Sequence, residues 1–164
     1  MRHQTIALIG GSGFIGSHLV NALVALGKNV RIATRRRENA AHLTLLPVDV
    51  IETNLFDPVQ LAAFVSQADA VINLVGILQG KRGVRGVSYG PQFAKSHVEL
   101  PSKIVAACQA KGVHRLIHMS ALGADSNGPS MYLRSKGDGE KAVRESSLAT
   151  TIFRPSVVFG PEDN

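Results

Sequence analysis

Tyr132 and Lys136 stand four residues apart in a stretch of helical pattern, so their side chains share one face. A carbon that bears oxygen and exchanges a hydride also needs a proton moved to or from that oxygen. A tyrosine can carry that proton when its pKa, about 10 in water, is lowered toward neutrality. A nearby ammonium favours the phenolate, which makes Lys136 the expected activator of Tyr132. Ser120 closes the apolar run Leu116 to Met119, where its hydroxyl is placed to hold a substrate carbonyl. Tyr-x-x-x-Lys alone is common on solvated helix faces. Preceded by a strand-end serine and by the glycine pattern below, it points to catalysis by Ser120, Tyr132 and Lys136.

The element that would position a redox partner for these groups lies at residues 5–16. An apolar run, Ile6 to Ile9, reads as a buried strand and stops at a glycine cluster. Phe14, Ile15, Leu19, Leu23 and Leu26 then mark one apolar face of a helix. Gly11, Gly13 and Gly16 satisfy G-x-G-x-x-G between strand and helix, where one glycine permits the turn, one the approach of a pyrophosphate and one close helix–sheet packing. The first helical turn would aim free N–H groups and the positive dipole end at that pyrophosphate.

The end of the second strand, Val30 to Thr34, selects the dinucleotide. NAD sites place an acid there to accept from the ribose 2′-OH, but this chain has Arg35, Arg36 and Arg37. A guanidinium fork suits a 2′-phosphate, which favours NADP(H) over NAD; a solvated arginine run is the alternative and is expected for at least one of the three. A short helix over 38–46 and a strand from Val48 to Glu52 follow, with Asn54-Leu55 at the carboxyl end where an adenine edge would lie. Asp57-Pro58 reads as an N-cap with proline at the first helical position, and Leu61, Phe64 and Val65 face inward. Ala70 to Val75 is nearly all apolar, as in a parallel strand covered on both faces, and Gly76 after it lets backbone pass close to a ribose.

Residues 79–91, rich in Gly, Lys and Arg, read as an exposed mobile loop. A helical pattern runs from Gln92 to Lys111, with Pro101 expected to kink or break it. Residues 123–130 form a polar turn, a helix spans Met131 to Glu145, and Thr151 to Phe153 is a sixth strand leading into Arg154-Pro155. This β-α alternation predicts an α/β Rossmann-type doubly wound parallel sheet of about six strands with helices on both faces, one dinucleotide-binding domain over 1–164.

Composition narrows the function further. The net charge is +6, but the basic clusters Arg35-Arg36-Arg37 and Lys81-Arg82-Arg85 lack interleaved aromatics, so nucleic acid is not the expected partner. The single cysteine, Cys108, excludes an internal disulfide and reads as a core thiol; with a strand starting almost at the N-terminus, a cytoplasmic location is expected. His97 is either a nicotinamide neighbour or a helix-surface residue. His114 and His118 have no third ligand at suitable spacing, so no metal site is expected.

Gly10-Gly11-Ser12-Gly13-Phe14-Ile15-Gly16, Ser120, Tyr132-x-x-x-Lys136 and Arg154-Pro155-x-x-x-x-Gly160 together resemble the extended and atypical short-chain dehydrogenase/reductases. Within that superfamily the chain is similar to the NAD(P)-dependent epimerase/dehydratase family. His118 to Ala124, Tyr132 to Lys136 and Phe159 to Asp163 carry a narrower likeness to the branch holding the NADPH-binding accessory subunit of respiratory complex I and its bacterial relatives.

The resemblance implies pyrophosphate contact by Gly10, Ser12, Gly13, Phe14, Ile15 and Gly16, and a 2′-phosphate site at Arg35 with Arg36 beside it. It implies adenine contact at Asn54-Leu55, ribose contact by Tyr132 and Lys136 near Val75-Gly76, and a nicotinamide beside Pro155 to Val157. Asn54 stands where an aspartate is common. Family members continue into a small substrate-binding domain, so these residues are expected to hold the nucleotide half without the C-terminal substrate domain. Two functions follow from the likeness: an NADP(H)-dependent oxidoreductase or epimerase acting on an unidentified small molecule, or a non-catalytic nucleotide-binding module peripherally associated with a membrane complex. Homodimer contacts are expected on the helices around 92–111 and 131–145.

Overall fold

The computed structural model describes residues 3–80 and 88–161. Most of the Gly/Lys/Arg loop, including Lys81, Arg82 and Arg85, lies outside the described residues, as do residues 162–164. Six strands, β1 (Thr5–Ile9), β2 (Asn29–Thr34), β3 (Val48–Glu52), β4 (Ala70–Asn73), β5 (Arg115–Met119) and β6 (Ala149–Phe153), form one sheet. Its order is β3-β2-β1-β4-β5-β6, and every pairing is parallel. The chain reverses direction across the sheet between β1 and β4, which opens a crevice at their carboxyl ends where ligands bind in such folds. The doubly wound sheet expected from the sequence is what forms.

Two apolar layers sandwich the sheet because a parallel strand is covered on both faces. On one side Leu61, Phe64 and Val65 of α2 (Pro58–Val65) pack with Ile104, Val105 and Cys108 of α4 (Leu100–Lys111) onto Ala7, Ile9 and Val71. On the other, Val20, Leu19 and Leu23 of α1 (Phe14–Ala25) and Leu43 cover Ile6, Leu8, Ile32 and Ile72. Leu26, read as part of the buried face, is 72% exposed because α1 ends at Ala25 and turns away; Val20 is the fully buried residue instead. A 3₁₀ segment, Arg37–Leu43, stands where the short helix is expected. Asp57 caps α2 by accepting from Val59 N at 2.8 Å and Gln60 N at 3.1 Å, with Pro58 at the first helical position.

Residues 91–111 run as a continuous helical path: a short α3 (Pro91–Phe93), a π segment (Ala94–Glu99) and α4. Pro101 therefore does not break the helix, because the wider π turns precede it. Pro101 has no N–H for the His97 carbonyl four residues back. That carbonyl lies against Gly139 of α5 (Met131–Arg144), where any Cβ would overlap it. The missing hydrogen bond thus becomes a close helix–helix contact, and it fixes His97 beside the catalytic candidates.

Candidate active site

The turn after β1 has the form a diphosphate cradle needs. Gly13 is the N-cap of α1 and supplies no side-chain cap, so the first-turn N–H groups have no helical or side-chain partner. A Cβ on Gly16 would overlap the Gly10 carbonyl, with Gly11 Cα only 2.6 Å away, so helix and turn meet at a distance only glycine allows. Ser17 Oγ donates to Gly13 O at 2.9 Å and pairs with His42 Nε2 at 2.9 Å, tying the 3₁₀ segment to the cradle. Arg35 and Arg36 follow the carboxyl end of β2 and are exposed; Thr34 Oγ1 donates to Arg36 O at 2.7 Å and shapes that bend.

Lys136 and Tyr132 project from the first two turns of α5, whose N-cap Ser130 accepts from Leu133 N at 3.1 Å. Lys136 is buried, and its Nζ donates to Met119 O at 2.7 Å. Burial pushes the ammonium down to about 8, while the Glu140 carboxylate pulls it back up. The expected lowering of Tyr132 is not found: burial raises the phenol, and the Lys136 ammonium is directed to the end of β5. Ser120 is buried at the end of β5, with its N–H donating to Phe153 O at 2.7 Å. Its Oγ makes no hydrogen bond of ordinary geometry, yet it lies near enough to Glu140 to help keep that carboxylate ionised.

Beneath these groups lies a buried polar layer that sequence reading did not assemble. Burial alone would raise the Glu140 carboxyl, but Arg154, Ser120 and Arg144 outweigh it and hold it below its usual value. Glu140 stands four residues beyond Lys136, and that spacing was the available signal. His118 Nδ1 accepts from Asn73 Nδ2 at 3.1 Å, because Asn73 Oδ1 is taken by Val75 N. Burial and then Lys136 push His118 down to about 4. His114, by contrast, is exposed just before β5, so the two histidines occupy different environments.

His97 is neither a surface residue nor in the cavity wall. It is 2% exposed, its Nε2 accepts from Ile77 N at 3.0 Å, and its Nδ1 lies 2.8 Å from Ser135 Oγ. Ser135 Oγ donates to Tyr132 O at 2.8 Å, so Nδ1 carries the ring proton and the imidazole is neutral. Burial, then Lys136 and His118, push it down to about 3. Cys108 is a buried core thiol raised to about 12 by burial.

One cavity of about 610 Å³ joins the cradle to the Tyr-Lys pair. Of the candidates, Gly10, Gly13, Phe14, Ile15, Gly16, Gly76, Ser120, Tyr132, Lys136, Pro155 and Val157 line it. Ser12, Arg35, Arg36, Asn54, Leu55 and Val75 do not. Leu55 and Val75 are partly buried against the core, and Asn54 bonds locally, Oδ1 accepting from Phe56 N at 3.0 Å. Met119 at the end of β5, and Leu78, Leu122 and Val158 in the segments that follow β4, β5 and β6, line the cavity without having been read as site residues, since an aliphatic side chain carries no chemistry that marks it in a sequence. Among the described residues no helix is long and apolar enough to cross a membrane.

A family model described as NAD(P)H-binding matches residues 10–162. The chain is 34% identical over 161 residues to the mouse (Mus musculus) mitochondrial NADH dehydrogenase [ubiquinone] 1 alpha subcomplex subunit 9, covering 95% of this chain and 41% of the relative. It is 31% identical over 158 residues to the ceramide reductase of Caulobacter vibrioides, covering 96% and 47%. The chain thus spans less than half the length of these curated relatives. A solved putative NAD-dependent epimerase/dehydratase from Bacillus halodurans superposes with a TM-score of 0.80 at 21% identity, over 97% of this chain and 73% of that one. The likeness to the complex I subunit branch is borne out by the mouse relative, the NAD(P)-binding character by the family model, and the solved epimerase/dehydratase shares the fold.

Proposed function

The chain belongs to the NAD(P)H-binding family, and from that premise we propose that it holds NADP(H) and serves the reduction of a carbonyl compound. The observation that carries the reading is the continuity of the α1 N-terminus, which no side chain caps, with Tyr132 and Lys136 along one cavity. Gly10, Ser12, Gly13, Phe14, Ile15 and Gly16 would cradle the diphosphate, Arg35 with Arg36 the 2′-phosphate, Asn54-Leu55 the adenine, and Val75-Gly76 with Pro155 and Val157 the nicotinamide riboside. When bound, NADPH supplies a hydride. Tyr132 holds the proton: a phenol raised by burial stays protonated at neutral pH, which suits a general acid and so the direction of reduction. Lys136 keeps a positive charge beside the reacting oxygen and orients the ribose. The name of the Caulobacter relative, a reductase, supports this direction.

A second reading is a nucleotide-holding module within a larger membrane-associated assembly. It is favoured by the mouse relative, named as a subunit, and by the engagement of Lys136 Nζ with the Met119 carbonyl rather than with Tyr132. Calorimetric titration with NADPH and NADH tests the coenzyme assignment. NADPH binds more tightly, and Arg35→Ala removes the preference; equal affinities in the unsubstituted protein overturn the arginine assignment. Tyr132→Phe then separates the two readings, since it abolishes carbonyl reduction and spares binding only if the chain is a reductase.

A further inference from the structure

The cavity changes character across the sheet. Its cradle end follows β1, whereas the residues after β4, β5 and β6 form the other side, because the sheet order places β5 and β6 beyond β4. On that side Leu78, Leu122 and Val157 stand 81%, 64% and 84% exposed at the cavity mouth. The lips are not loosely held: Leu122 N donates to Pro155 O at 2.8 Å, fixing the segment after β5 against the segment after β6. Exposed aliphatic groups gathered at the mouth of a polar site mark a ligand surface.

Charge narrows the ligand. Among the described residues Lys136 is the only charged side chain lining the cavity, and it is buried and bonded to Met119 O. A phosphate or diphosphate on the substrate is held by guanidinium or ammonium donors or by a free helix N-terminus. Apart from the engaged Lys136, the described lining after β4, β5 and β6 offers no such cation, and the glycine-capped N-terminus of α1 is already assigned to the coenzyme. A polar head of carbonyl size fits instead, since Tyr132, half-buried in the lining, is the hydroxyl-bearing side chain beside the lips, whereas the Ser120 Oγ is buried toward Glu140. Resting on the coenzyme reading above, we infer that the site takes a ketone bearing a long unbranched alkyl chain, with the carbonyl at Tyr132 and the chain lying over Leu78, Leu122 and Val157.

The test is a homologous series of neutral methyl ketones (2-hexanone, 2-octanone, 2-decanone) titrated calorimetrically into the protein with and without saturating NADP⁺. Each added methylene should tighten binding by roughly threefold to fourfold, the factor expected when one CH₂ leaves water. The double variant Leu78→Gln/Leu122→Gln should flatten the series while leaving NADP⁺ affinity unchanged. A series flat in both states, or a gain that persists in the double variant, overturns the inference. Tighter binding of UDP-glucose than of 2-decanone also overturns it. A dimer seen by sedimentation and broken by the same variant would assign the lips to a second copy of the chain and overturn it as well. Failure to bind NADP⁺ alongside a preserved chain-length gain would instead reject the coenzyme reading alone.

Discussion

The Glu140 carboxylate and the Arg154 guanidinium meet through two parallel hydrogen bonds, Nε to Oε1 at 2.8 Å and Nη2 to Oε2 at 2.6 Å. The pair clamps α5, which carries Tyr132 and Lys136, to the segment that leads from β6 into the cavity wall. Arg144 Nη2 adds a third donor at 2.7 Å. Glu140 is 2% exposed, whereas the Arg154 and Arg144 side chains are 43% and 63% exposed and can return to water if the carboxylate is lost.

Glu140→Gln should therefore cost roughly 1–3 kcal/mol at pH 7, the scale of a charged hydrogen bond whose partners can be rehydrated. The Glu140 carboxyl sits below its usual value in the folded chain, so its contribution is present above the unfolded value of 4.5 and fades as pH falls through the folded one. Urea unfolding at pH 7 and pH 3 checks this. The gap between the two proteins should narrow in acid, and an unchanged pH 7 midpoint in the variant would sink the claim. The substitution also leaves buried Lys136 without its opposing charge, so the ammonium should titrate below about 8.

Gly16→Ala offers a second test. The new methyl overlaps the Gly10 carbonyl and must push helix and turn apart. Coenzyme affinity should fall at least tenfold, with a loss of stability in the roughly 1–3 kcal/mol range of overpacked contacts. Calorimetry with NADPH and a thermal melt read both. Unaltered binding would show that the close approach is not what forms the cradle.

The two buried imidazoles make stability fall in mild acid. His97 and His118 are pushed from 6.5 to about 3 and about 4, so the unfolded chain takes up protons that the folded chain refuses. Stability is full above pH 6.5 and is lost as pH falls toward those lower values, by about 2 kcal/mol per histidine between pH 7 and pH 5. His97→Gln, which keeps a polar side chain but cannot titrate, should remove about half of this slope. Urea midpoints across that range decide the matter; a variant with the slope of the unsubstituted protein would mean that His97 is protonated in the fold.

Much of the fold was legible because a parallel strand covered on both faces is an uninterrupted apolar run, and because Asp57-Pro58 and Gly13 announce helix starts in their own chemistry. The π segment was not, since apolar spacing cannot tell an i→i+5 turn from an i→i+4 turn over six residues. Tyr132 and Lys136 were correctly placed on one helix face, but the direction of the tyrosine's shift was misread. The lysine's partner is a main-chain carbonyl at the end of β5, a contact made only when the sheet and α5 come together. His97 was ambiguous for the same reason: Ile77 and Ser135, which hold it, lie 20 and 38 residues away along the chain.

The parallel sheet also sets the order in which the protein can be made. β1 emerges first from the ribosome and lies near the middle of the sheet, yet its second neighbour is β4, with Ile6 opposite Ala70. No hairpin can supply that partner, because parallel strands require a crossover. Until residue 73 has been synthesised, one edge of the most apolar strand has nothing to pair with, and a nascent chain stalled before that point carries an adhesive edge.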